Sequence, residues 1–190
     1  MYYMLECFQP PEWEDCAGIK TPGKRIVPRG ETWSMGRRFS VPPPEPIEFE
    51  MMATHNDRLL EFRKSSPPLM SSRLLTAFRK SGVDNVDVYR TVITHPTTGF
   101  QTTDYFAVNI IGLVAAADMD NSNLLGGNEE GLLDVDFEGV RIDPGKAAGL
   151  LMFRLAESTN GIVVHGSVRD SLLAQGFNML TFMEPDEWLG

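Results

Sequence analysis

Eight of the thirteen prolines fall within the first fifty residues, among them Pro42-Pro43-Pro44 and Pro46. A proline ring fixes φ and removes a backbone donor, so this stretch cannot hold long helices or central strands. It reads as an irregular lobe, residues 1–66, carrying short strands such as Ile47 to Met51. Trp13, Trp33, Phe39 and Phe49 supply anchors for packing that lobe on a second unit, residues 67–190, and a disordered tail would not be so aromatic. With 42% apolar and 23% charged residues in a chain of 190, there is enough to bury a core.

Local signals organise the rest. Thr54 and Asp57 are spaced as a capping pair, with Leu59, Leu60 and Phe62 as an apolar side, and predict a short helix ended by Pro67. Ser71 or Ser72 caps a helix carrying Leu74, Leu75 and Phe78, with Gly82 as its stop. Alternation from Val86 to Ile93 and a second apolar run, Tyr105 to Ile111, predict a hairpin whose tip is His95 to Gly99. Leu113 to Ala117 reads as a helical turn, Asp118 to Gly131 as a loop, and Leu133 to Glu138 as an exposed or edge strand. Asp143-Pro144-Gly145 is a turn, and Leu150 to Leu155 is a strand or a helix. Strands Ile162 to Val164 and Met179 to Met183 flank a helix from Ser167 to Gln175, capped by Ser167 and stopped at Gly176. A shift of 94 residues sets Leu74 on Val168, Phe78 on Leu172 and Gly82 on Gly176, a pattern consistent with a helix–strand repeat. The expected fold is α+β: an antiparallel sheet flanked by short helices.

Charge narrows the function classes. The net charge is −9. Nucleic acid and anionic membrane both require a basic surface, so neither is expected as a direct partner. Residues 101–150 hold two basic and nine acidic side chains, net −7, and from Asp118 to Glu138 there are seven acids and no base. Such a field either steers a basic partner or is a solvated face that aids solubility. Two cysteines, Cys7 and Cys16, make no disulfide framework, and the histidines His55, His95 and His165 share no ligand spacing. No glycine-rich phosphate loop and no nucleophile elbow occurs. Asp118, Asp120, Ser122, the Leu124 carbonyl and Glu129 follow the spacing of a calcium loop. The sixth position is Asn123 in place of glycine and no helix is expected downstream, so a polar connecting loop is preferred and no metal or cofactor is expected. Asn109 and Arg154 are polar residues in apolar runs. They read as core groups, Asn109 bonded to a turn and Arg154 paired with Asp or Glu, with a ligand role as the alternative. An acid stands near the N-terminus where a signal peptide carries a base, so a soluble cytoplasmic protein is expected.

Three segments carry a family resemblance: Tyr105-Phe-Ala-Val-Asn109-Ile-Ile-Gly112-Leu-Val ahead of Asp118; Leu151-Met-Phe-Arg154-Leu155-Ala-Glu157 ahead of Ile162-Val-Val, Gly176 and Phe182; and Ser71-Ser72-Arg-Leu74 to Gly82. Together, over about residues 67–190, they resemble the eleventh family of immunity proteins from bacterial polymorphic-toxin loci. The resemblance implies neutralisation of a cognate toxin by binding, a toxin gene next door, often with a type VI secretion or contact-dependent system, and no catalytic residues. The contact candidates are then Asp118, Asp120, Glu129, Glu130, Asp134, Asp136 and Glu138, an acidic patch suited to a basic toxin cleft. Two readings compete: a binding or adaptor module of bacterial secretion machinery without a toxin, told apart by the neighbouring gene, and an enzyme with an unrecognised site, which a deep pocket of converging polar groups would favour.

Overall fold

In a computed structural model that describes residues 1–7, 16–52, 58–125 and 135–190, strand-forming segments dominate and the helices are short. In chain order the elements are β1 (Tyr2–Glu6), β2 (Ile19–Lys20), β3 (Ile47–Met51), β4 (Phe62–Arg63), β5 (Leu69–Ser71), α1 (Ser72–Lys80), β6 (Val86–Thr94), β7 (Gln101–Thr102), β8 (Tyr105–Ile110), β9 (Leu113–Val114), α2 (Pro144–Ala147), β10 (Met152–Leu155), β11 (Ile162–His165), α3 (Gly166–Ala174) and β12 (Thr181–Met183). Single 3-10 turns stand at Met119–Asn121 and Pro185–Glu187.

The strands form two sheets. The first runs β12-β1-β11-β10-β9; the second runs β2-β3-β6-β8-β5-β4, with β7 beside β6. The fold is α+β, but the sheets are mixed and not purely antiparallel: β3 lies parallel to β6, and β9 parallel to β10. The hairpin of β6 and β8 pairs antiparallel from Val86↔Ile110 to Arg90↔Phe106.

Three apolar clusters account for the layering. Between the sheets, Leu74, Leu75 and Phe78 of α1 and Val168 and Leu172 of α3 meet Leu5, Val108, Ile110, Met152, Ile162 and Val164. The outer face of the second sheet is covered by the proline-rich region, through Trp33 and Phe39 against Tyr89, Ile93 and Ala107. Residues 114–125 and 135–147, with Trp188, cover the outer face of the first sheet. All five residues of β1 are buried, as a strand must be when both faces of its sheet are covered.

Both long helices end alike. Gly82 (φ 90°) and Gly176 (φ 83°) take the left-handed conformation after the last turn. The N–H of Val83 then donates to Phe78 O and that of Phe177 to Leu172 O, closing the same C-terminal motif. The helices are nine residues each, and Ser81 Oγ lies 2.8 Å from Ser171 Oγ where they meet. The strands that follow them differ, nine residues in β6 against three in β12.

Four local expectations need correction. Residues 58–66 hold no helix; Phe62–Arg63 is a strand paired with Met70 and Leu69, because the segment buries Leu60 and Phe62 at a period of two. Thr54 and Asp57 lie outside the described residues. Leu113–Val114 is a strand, because its backbone finds Arg154 and Leu155 alongside. The cap of α3 is His165, whose side chain accepts the Ser167 N–H, and Ser167 sits inside the helix. Asp143 caps a short helix, α2, where only a turn was expected. Among the described residues no helix is long and apolar enough to cross a membrane.

Candidate functional site

The acidic stretch is folded down onto the first sheet by its apolar residues. Ala116, Ala117, Phe137, Val140 and Ala147 are buried against Tyr2, Phe153 and Val163. Two arms result, residues 114–125 and 135–147, with bridges Ala117↔Ile142 and Leu124↔Phe137. Asp118 N donates to Arg141 O, Asn123 N to Gly139 O, Glu138 N to Asn123 O and Leu125 N to Asp136 O, all at 2.7–2.9 Å. Glu157 ties both arms: its carboxylate accepts Ala117 N (3.2 Å) and its carbonyl accepts Val135 N (2.7 Å).

The alternation from Leu133 to Glu138 predicts an exposed or edge strand. Over its described part, Val135 to Glu138, there are only isolated bridges, and Phe137 is fully buried. One aromatic side chain draws the segment inward, and Gly139 (φ 100°) then turns it where a Cβ would lie 2.5 Å from Asp186 O.

Of the contact candidates, Asp120, Asp136 and Glu138 are exposed and Asp118 is half-buried. The Asp118 carboxylate accepts the Asn121 amide (2.8 Å). None of these four makes an ion pair with a described residue. Glu129, Glu130 and Asp134 lie outside the described residues. Backbone pairing between the arms sets Asp118 opposite Arg141, Glu138 opposite Asn123 and Asp136 opposite Leu125.

The geometry adds two acids that the sequence reading passed over. Val140 N donates to Pro185 O and Gly139 N to Trp188 O, so the turn Pro185–Glu187 lies against the second arm and presents exposed Asp186 and Glu187 beside it. The signal available was Trp188, a lone large apolar residue after a run of acids, which has to be buried and must carry them along.

Four residues of the calcium spacing, Asp118, Asp120, Ser122 and Leu124, lie in the first arm. The Ser122 hydroxyl donates to Asp118 O (2.7 Å) and accepts Arg141 N (2.9 Å), so it serves the arms, and Leu124 is bridged to Phe137. Glu129, the bidentate ligand of that spacing, lies outside the described residues. Among the described residues no group of three His, Cys, Asp or Glu is placed to hold a metal ion. His95 Nδ1 accepts the N–H groups of Thr97 and Thr98, closing the hairpin tip, and Cys7 Sγ accepts Lys64 N.

Asn109 and Arg154 are both buried. Asn109 Nδ2 donates to Arg37 O (2.8 Å), in the bend after Trp33. Arg154 corrects the expectation of an acidic partner: its Nη1 donates to Thr159 O (3.1 Å) and its Nη2 to Trp33 O (3.3 Å), and no described Asp or Glu lies in ion-pair reach.

A comparison with curated proteins finds no relative that matches. The model of the Immunity protein family (Imm11) matches residues 6–186. The match starts within β1 and takes in the proline-rich third, where the resemblance was expected only from about residue 67. Since it spans both sheets, the two long helices and the acidic arms together, the chain belongs to the Immunity protein family (Imm11).

Proposed function

We propose that this chain neutralises a cognate bacterial toxin by binding it directly, with the acidic arms over the first sheet as the contact surface. The observation that carries the reading is membership of an immunity family together with four exposed acids, Asp120, Asp136, Glu138 and Asp186, none of them ion-paired to a described residue. An inhibitor of this kind requires a rigid scaffold and a complementary surface, and no cofactor. Toxins that cut nucleic acid carry basic clefts for phosphate, and an acidic surface both occludes such a cleft and speeds encounter. In this reading the toxin is encoded by a neighbouring gene of a polymorphic-toxin locus, delivered by a type VI or contact-dependent system, and met in the cytoplasm.

The test is co-expression with the C-terminal domain of the neighbouring gene's product. Rescue of growth and a 1:1 complex are expected. Charge reversal at Asp120, Asp136, Glu138 and Asp186 should lower the association rate at least about tenfold in low salt and flatten its salt dependence. Rescue with unaltered kinetics in that variant would keep the immunity function but move the contact surface elsewhere; failure of the native chain to rescue or bind would remove the function.

A further inference from the structure

A second place in the molecule carries charge of the opposite sign. Where the end of β4, the bend at Trp33 and the loop between β10 and β11 meet, there is a cleft of about 520 Å³. That is within the range of roughly 300–1,000 Å³ usual for small-molecule sites. Its lining includes Arg154, Lys64, Glu6 and Asn160 among its polar residues, and Trp188 and Leu189 give it an apolar wall.

The two cations of the cleft are held differently. Lys64 is ion-paired to Glu6, and the same Glu6 oxygen accepts the Trp188 indole N–H (2.7 Å). Glu6 is therefore engaged, and Arg154 makes no ion pair with a described residue. Arg154 is only 3% exposed. It has five N–H donors, and its bonds run to two backbone carbonyls; Nε is buried with no partner. Burial pushes the guanidinium down to about 10, with no anion acting against that shift. A buried cation held by carbonyls alone is a costly arrangement unless an anion completes it. A carboxylate matches the free edge of a guanidinium, because Nε and a terminal nitrogen form a planar fork for two oxygens.

We propose that this cleft binds a small organic carboxylate, with the Arg154 fork taking the carboxylate and the Trp188–Leu189 wall taking an apolar body. The proposal does not rest on the toxin-binding reading, although Trp188 and Leu189 of the cleft wall also touch the second arm. It places an anion-binding function in a chain whose net charge is −9.

Calorimetric titration of the full chain at constant ionic strength tests this, with acetate, benzoate and indole-3-acetate as probes and benzamide as the neutral control. At least one carboxylate should give a saturable 1:1 isotherm and raise the melting temperature, with benzamide at least tenfold weaker. Arg154→Lys, which keeps the charge but loses the fork, should weaken that binding at least tenfold. Should the Arg154 variant fail to fold, Asn160→Asp serves instead: a carboxylate built into the cleft should compete with the probe and weaken it at least tenfold. The proposal is overturned by no saturable binding of any carboxylate, by equal binding of benzoate and benzamide, or by equal binding to the Arg154 or Asn160 variant.

Discussion

Asn85 joins the two sheets through a single amide, and removing that amide gives a sharp test of how the layers are held. Its Nδ2 donates to Ile111 O, just past β8 in the second sheet, and to Met152 O (2.8 Å) at the start of β10 in the first. Its own carbonyl accepts Ile111 N (2.8 Å), a contact that survives any side-chain change. Asn85→Ala deletes two hydrogen bonds worth about 1 kcal/mol each and leaves two partly buried carbonyls short of a donor, so the expected loss is about 2–3 kcal/mol. For a chain of 190 residues this corresponds to roughly 4–12 °C in melting temperature. Asn85→Asp is nearly isosteric but aims a carboxylate at two carbonyl oxygens, so it should be less stable than Asn85→Ala at pH 7. The carboxyl of that variant is raised above its ordinary value of about 3.9, because the neutral acid can donate to one carbonyl and the anion to neither. Its folded state then holds the proton through a window where the unfolded state has lost it. The Asp variant's deficit therefore shrinks in acid and grows as pH rises through the raised value. Urea denaturation of wild type, Asn85→Ala and Asn85→Asp at pH 4 and pH 7 measures all of this. An Asp variant as stable as wild type at pH 7 would refute the reasoning, since it would mean that shape, and not the donated bonds, joins the sheets.

Two further substitutions probe the backbone and the alkaline limit. Gly139→Ala should cost at least about 2 kcal/mol in thermal melts, because φ is 100° and the new Cβ meets Asp186 O; Gly30→Ala, at φ 86° with open space around it, should cost only about 1 kcal/mol. Burial raises the hydroxyls of Tyr2, Tyr89 and Tyr105 above their ordinary value, with Glu61 adding to the effect at Tyr105. Their contribution is present below pH about 10 and is lost as pH rises further, at up to about 1.4 kcal/mol per pH unit for each. Tyr105→Phe forfeits the bond from its hydroxyl to Leu59 O (3.3 Å), so it should trail wild type by about 1 kcal/mol at pH 8 and close that gap by pH 11. A gap that is constant with pH would show that Tyr105 ionises freely in the folded chain.

What could be read from the sequence was what neighbouring residues decide among themselves. The cap at Ser71, the apolar Leu74, Leu75 and Phe78 and the stop at Gly82 lie within a dozen residues, and α1 has the expected bounds. The hairpin of β6 and β8 is legible for the same reason. The short strand at Phe62 and the parallel strand at Leu113 were not, because each exists only through a partner brought in by the fold, and β9 takes its partner from β10 some forty residues later. At the candidate site, the acids were legible as a charge run, while their arrangement was not. Phe137 turns an alternating pattern into a buried anchor, and the C-terminal turn adds Asp186 and Glu187 from far along the chain. Arg154 shows the opposite limit: its burial could be expected from Met152, Phe153 and Leu155 around it, but nothing local tells a carboxylate partner from a carbonyl.

Trp188 ties the acidic arms to the Arg154 cleft, and its replacement separates their dependence on one another. The indole is 1% exposed, packs at 6.2 Å from the Phe137 ring and donates to Glu6 in the cleft. Its backbone carbonyl accepts Gly139 N (2.9 Å), and the adjoining Leu189 bridges Glu138, so the same residue supports the second arm from beneath. Trp188→Phe keeps a ring on Phe137 but removes the bond to a buried carboxylate, for an expected loss of about 1.5–3 kcal/mol. Trp188→Ala also opens a cavity and should cost about 3–5 kcal/mol. If the arm rests on the indole, amide exchange at Phe137 and Gly139 should accelerate strongly in Trp188→Ala and little in Trp188→Phe, and toxin association should slow in the same order. Equal exchange at those two amides in both variants would mean that the arm is held by its partner residues 117–125 alone. Toxin binding would then be insensitive to anything done in the cleft.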